Sequence, residues 1–223
     1  LKYLLPFLAV LLSFGFVVLF KPKNKANFKL LLAFSGAFLL ALTLFELFPK
    51  AYINSNAKVV GVFIMLGILF QIFLEFFSKG AEHGHIHTNG EKTLFPWLLF
   101  VSLSIHAFLE GFPVQENGTI IYGILVHKVP IAVILSIFLL GSKLKMTYAL
   151  MFISLFALMT PLGSYFATNV DLISPYLSYI NAVVIGVFLH ISTVILFESS
   201  EGHTFNLRKL LAIVLGIVIA FML

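Results

Sequence analysis

The sequence predicts an all-α, polytopic membrane protein, a bundle of eight transmembrane helices, and three observations carry that expectation. The 223 residues are 61% hydrophobic and only 10% charged, whereas soluble domains average about half apolar and about a quarter charged. Mean hydropathy is +1.09. Apolar runs of about the 17 to 25 residues that cross a bilayer as a helix recur eight times. Hydrocarbon offers loose backbone groups no partner, and the alternating pattern of a barrel is absent, so each run must close its hydrogen bonds internally as a helix.

The runs can be justified in order. The first, 3–20, begins with a single charge, Lys2. No small-x-small cleavage site precedes "KPKNK" (21–25), so the run reads as a span rather than a signal peptide. The second, 28–48, closes on "ELFP", and "KAYINSN" leads into the third, 59–77. The longest connection follows, 78–93, with "HGHIH" inside it. Spans 94–112 and 119–140 form a hairpin around "QENG". Spans 146–166, 180–197 and 207–223 are separated by "TNVDLISP" and "SSEGHTFN". Every connection but one is short, so 1–223 is expected to be a single transmembrane domain.

Charge sets the expected orientation. Loops after odd-numbered spans hold ten basic residues: Lys21, Lys23, Lys25, Lys29, Lys79, Lys92, Lys143, Lys145, Arg208 and Lys209. The other side holds Lys2, Lys50 and Lys58. This bias puts the odd loops in the cytoplasm and both termini outside. The net charge of +5 therefore reports topology and calls for no nucleic-acid partner. Cysteine is absent, which removes disulfides and thiolate ligands from consideration.

Against this background four ionisable residues stand out: His106, Glu110, His127 and Lys128. A charge near the bilayer centre costs about 2.5 to 3.5 kcal/mol on insertion scales, so such residues mark a polar interior. His106 lies eight residues before the turn and His127 about eight after it. At about 1.5 Å per residue both sit near the midplane, level with one another. Glu110 follows His106 by four residues and shares its helix face. Pro113 frees the carbonyl of Leu109, and Pro130 that of Val126. Imidazole, carboxylate and carbonyl make a nitrogen and oxygen set suited to a divalent metal such as Zn²⁺. The plainer reading, a polar clasp between two helices, is outweighed by four such groups at one level beside two prolines.

These residues resemble the ZIP (Zrt/Irt-like) family of divalent metal transporters. The family's His-x-x-x-Glu-Gly in span four is matched by "HAFLEG" and its span-five motif by "HKVP". "ELFP" in span two, "LEFF" in span three, "MTPLG" in span six and the histidine-bearing loop extend the likeness. The resemblance implies a ZIP-type bundle and a carrier moving zinc, or Fe²⁺, Mn²⁺ or Co²⁺, into the cytoplasm, with the ion as substrate and no cofactor. It places the metal site on His106, Glu110 and His127, and implies that the helices bearing the site slide as a block. Where two-metal members carry carboxylates, this chain has Lys128 and Ile131, and Ala107 replaces a common polar residue. One transported ion is therefore expected, with Lys128 compensating Glu110 when the site is empty.

Further candidates are secondary. His190, in span seven, is an additional ligand or, as the favoured reading, a core histidine bonded to Ser192 or Thr193. Glu46 guards the outer entrance or is simply solvated. Glu75, Glu198, Glu201 and His203 gather at the cytoplasmic level with the loop histidines His83, His85 and His87, as an exit or sensing zone. An intramembrane zinc hydrolase and a non-transporting metal sensor are the rival functions, although HExxH is absent. A bacterial inner membrane is the expected location, from the compact loops. Beyond metal and lipid, a homodimer is left open.

Overall fold

In a computed structural model, residues 4–22, 25–53, 55–78, 95–114, 118–198 and 207–223 are described. They form eight helices and no strand. α1 is Leu5–Phe20. α2 runs through Lys25–Leu42, Thr43–Leu47 and Phe48–Tyr52. α3 is Ala57–Ser78, and α4 is Trp97–Leu109 followed by a 3₁₀ turn at Phe112–Val114. α5 is Ile120–Gly141, α6 Met146–Asn169, α7 Leu177–Glu198 and α8 Leu207–Met222. Six of them are long and apolar enough to cross a membrane, and α1 is a shorter apolar helix.

Proline shapes α2. Pro49 cannot donate and its ring crowds the preceding turn, yet the helix continues to Tyr52. It does so by widening: the Phe48 N–H reaches back five residues to the Thr43 carbonyl, a single π turn of the kind that relieves such strain. Thr43 Oγ1 donates to the Leu39 carbonyl at 2.7 Å and holds the turn in place.

The helices pack as two blocks. Val10 and Phe14 of α1, Leu99, Leu103 and Ala107 of α4, Ala132, Leu135 and Leu139 of α5, and Phe152, Ile153 and Phe156 of α6 share one core. A second core joins α2, α3, α7 and α8; α5 leans on it through Ile120, Ile124 and Ile131, the end of α4 through Phe112 and Val114, and α6 through Ala167. Within the second block α3 and α7 approach backbone to backbone. A Cβ on Gly67 would collide with the Val183 carbonyl, and one on Gly186 with the Ile64 carbonyl. Small residues at such contacts let transmembrane helices gain packing that lipid does not supply.

Candidate metal centre

The site is built where α4 ends. His106 is in the last turn of α4 and Glu110 immediately follows the helix. The Glu110 N–H still bonds to the His106 carbonyl at 3.1 Å, so helical spacing persists across the end. The two side chains therefore meet, His106 Nε2 lying 2.9 Å from Glu110 Oε1. α5 brings the other two. Lys128 Nζ lies 2.6 Å from Glu110 Oε2 and 4.9 Å from the centre of the Phe156 ring, within cation–π range. The His127 ring stands edge-on to that of His106, with centroids 6.3 Å apart. All four residues are at least 97% buried, inside protein rather than against lipid.

One ligand atom from each of His106, Glu110 and His127 lies within 4.8 Å of the others. Around a tetrahedral zinc with bonds of about 2.0 to 2.1 Å, neighbouring ligand atoms sit about 3.4 Å apart. Closing by up to about 1.4 Å would thus complete a three-ligand set. His106 Nδ1 is buried with no hydrogen-bond partner among the described residues. Leu103, Ile131 and Phe156 complete the wall of a cavity of about 10 Å³, room for about one water. An ion entering it has to shed its hydration shell and take protein donors instead.

α6 fixes α4 at this depth. Thr160 Oγ1 donates to the Ala107 carbonyl at 2.8 Å, one residue past His106. Gly163 lets the Phe108 carbonyl come so close that any Cβ would overlap it, and Gly111 meets the Thr160 carbonyl in the same way. "MTPLG" is visible in the sequence as a motif, but its structural role, clamping the helix that carries two of the candidate ligands, needed coordinates. The same holds for Phe156 under the Lys128 ammonium.

The remaining candidates separate. His190 reaches across to another helix: its Nε2 lies 2.7 Å from Glu75 Oε2 on α3. Thr193 instead donates to the Leu189 and His190 carbonyls. The favoured sequence reading of His190 missed this because it considered neighbours on its own helix, whereas parallel packing of α3 on α7 supplies the partner. Glu46 pairs with Lys50 at 3.3 Å, and both side chains are about a third or more exposed. The α7 backbone reaches Glu198; its side chain, with His83, His85, His87, Glu201 and His203, lies outside the described residues.

Helices of this length around a buried cluster of metal-ligating side chains define a polytopic membrane protein with polar groups at its heart. Residues 78–223 match the family model described as ZIP zinc transporter, and the chain belongs to that family. Two curated relatives, both named zinc transporter ZIP1, come from Danio rerio and Takifugu rubripes. They are 33% and 32% identical to this chain over 89 residues, which is 37% of this chain and 30% of each relative. The matched stretch is thus under a third of the length of those relatives.

Proposed function

We propose that this chain carries a divalent metal ion, Zn²⁺ in the first place, across the membrane into the cytoplasm. The observation that carries the reading is the trio His106, Glu110 and His127, buried between α4 and α5 with donor atoms within 4.8 Å of one another. Family membership and the zinc transporters among the relatives favour zinc. Fe²⁺, Mn²⁺ and Co²⁺ suit the same nitrogen and oxygen donors. The lysine-rich odd loops favour both ends outside, and inward transport is what the family likeness suggests. The matched relatives are fish proteins, which lends no support to a bacterial inner membrane.

Lys128 limits the site to one ion. A unit charge and a divalent ion 5 Å apart repel by roughly 6 to 7 kcal/mol at an effective dielectric of about 20. Without metal, the same ammonium neutralises Glu110, so the carboxylate is not left as an uncompensated buried charge. The arriving ion takes over that role.

Two-block packing supports the way the site is exposed. His106, Glu110, His127 and Lys128 all belong to helices of the α1–α4–α5–α6 block, and that block has its own core. Sliding it as a unit against α2, α3, α7 and α8 would present the site to each side in turn without dismantling it. The test is Zn²⁺ uptake into liposomes. Uptake falls by at least tenfold in His106→Ala and Glu110→Ala; equal uptake in all three proteins would end the assignment.

A further inference from the structure

We propose that Phe156 is a positioning residue for ion binding: its ring face takes over the Lys128 ammonium when an arriving ion takes the Glu110 carboxylate. Such a handover rests on the ion site proposed above and names how that site is freed.

The need for it follows from charge. In the ion-free protein the Lys128 ammonium rests on Glu110 Oε2 at 2.6 Å. A divalent ion on the same carboxylate leaves one negative charge to serve three positive ones, and like charges at this range repel strongly where water is scarce. The ammonium has no route to bulk water. Lys128 is 2% exposed, and the cavity beside it has a volume of about 10 Å³, space for about one water. A buried charge stripped of its partner is strongly destabilising. A second acceptor within reach of the lysine stem is therefore required.

The wall of the cavity offers one. His106 and His127 are candidate ligands of the ion, while Leu103 and Ile131 are aliphatic. Of the remaining lining side chains Phe156 has the electron-rich face, and Lys128 Nζ already stands 4.9 Å from its centre. Cations bind aromatic faces within about 6 Å of the centroid, and more strongly when desolvated. The ring is 2% exposed, so water screens the contact little. A flexible four-carbon stem lets the ammonium swing from carboxylate to ring without moving α5.

Helix α6 places the ring. Phe156, Thr160 and Gly163 follow one another at spacings of four and three residues and share one face. Thr160 Oγ1 donates to the Ala107 carbonyl at 2.8 Å and Gly163 abuts the Phe108 carbonyl, so that face is keyed to α4. The ring thereby keeps its place relative to Glu110 at the end of α4. Phe156 also belongs to the core shared by α1, α4, α5 and α6. Ammonium, carboxylate and ring thus sit in one block, and the ammonium changes partners without any contact across the seam.

The test replaces Phe156 in the full chain with singly, doubly and triply fluorinated phenylalanine. Fluorine draws electron density from the ring face and so weakens its hold on a cation, with little change in shape. Calorimetry in detergent follows Zn²⁺, and the ion to watch is the one that His106→Ala with His127→Ala eliminates. The carboxylate holds the ammonium before the ion arrives, so the ring matters most afterwards. Affinity is therefore expected to fall stepwise with each fluorine, about tenfold across the series. With Lys128→Met, which leaves no ammonium to receive, the series is expected to be flat. No trend with Lys128 present, or the same trend without it, overturns the handover; the ammonium then stays on the carboxylate or turns to a backbone carbonyl. Phe156→Leu keeps an apolar side chain without a ring face and is expected to weaken binding at least as much as the triply fluorinated ring. Unchanged affinity there also overturns the handover. If the unsubstituted chain binds no ion sensitive to His106 and His127, the site fails and the handover with it. An ion that is present but indifferent to fluorine ends the handover alone.

Discussion

The α4–α5 cluster and the α3–α7 pair use the same chemistry in different surroundings. Each sets an imidazole nitrogen against a carboxylate oxygen, at 2.9 Å and 2.7 Å. Around Glu110 the side chains are sealed in protein and a lysine ammonium completes the charge balance. Around Glu75 the side chains are part-exposed. The difference teaches that burial, rather than the pairing itself, decides what a group costs when its partner is lost. A sealed carboxylate has to be neutralised by lysine or by metal. A part-exposed pair of imidazole and carboxylate holds no lysine ammonium that would be left buried and unpaired.

Lys128→Asp attacks the comparison where the largest effect is expected. It removes roughly 6 to 7 kcal/mol of repulsion, so calorimetry records one more bound ion than in the unsubstituted chain. An unchanged stoichiometry would mean that Lys128 does not set the number of ions. Glu110→Ala strips the partner from a buried ammonium and is expected to destabilise the fold by about 3 to 5 kcal/mol. Glu75→Ala leaves an imidazole that is stable uncharged, and is expected to cost less, about 1 to 2 kcal/mol. Denaturant unfolding in detergent measures both, and equal losses would erase the distinction between the regions.

Packing around the first site gives smaller effects. Gly163→Ala forces a methyl into the Phe108 carbonyl. It is expected to cost about 1 to 3 kcal/mol and to depress uptake as well, because α4 carries two of the candidate ligands. Gly15→Ala meets nothing within 4 Å and gains about 0.5 to 1 kcal/mol of helix stability with uptake intact. Thr160→Val removes one buried hydrogen bond and lowers stability by about 1 kcal/mol, read as a shift in unfolding midpoint.

Much of the candidate site was legible because helical spacing is a local property. His106 and Glu110 are four apart, so their meeting follows from the period of one helix. His127 joins them because a short turn forces α4 and α5 into an antiparallel hairpin, which equal distances from the turn already imply. His190 was not legible in this way. Its partner lies 115 residues earlier in the chain, and no periodicity relates α3 to α7.

The sequence by itself determined that the chain is an all-helical polytopic membrane protein, and that imidazole and carboxylate share a depth on two of its helices. Hydropathy, charge bias and the 3.6-residue period act along the chain and need no knowledge of its neighbours. Only the tertiary structure decided that the helices divide into two cores, that Thr160 and Gly163 clamp α4, and that Glu75 faces His190. Those contacts join segments far apart in the chain, and which segments meet depends on how side-chain shapes fit across helices rather than on any local pattern.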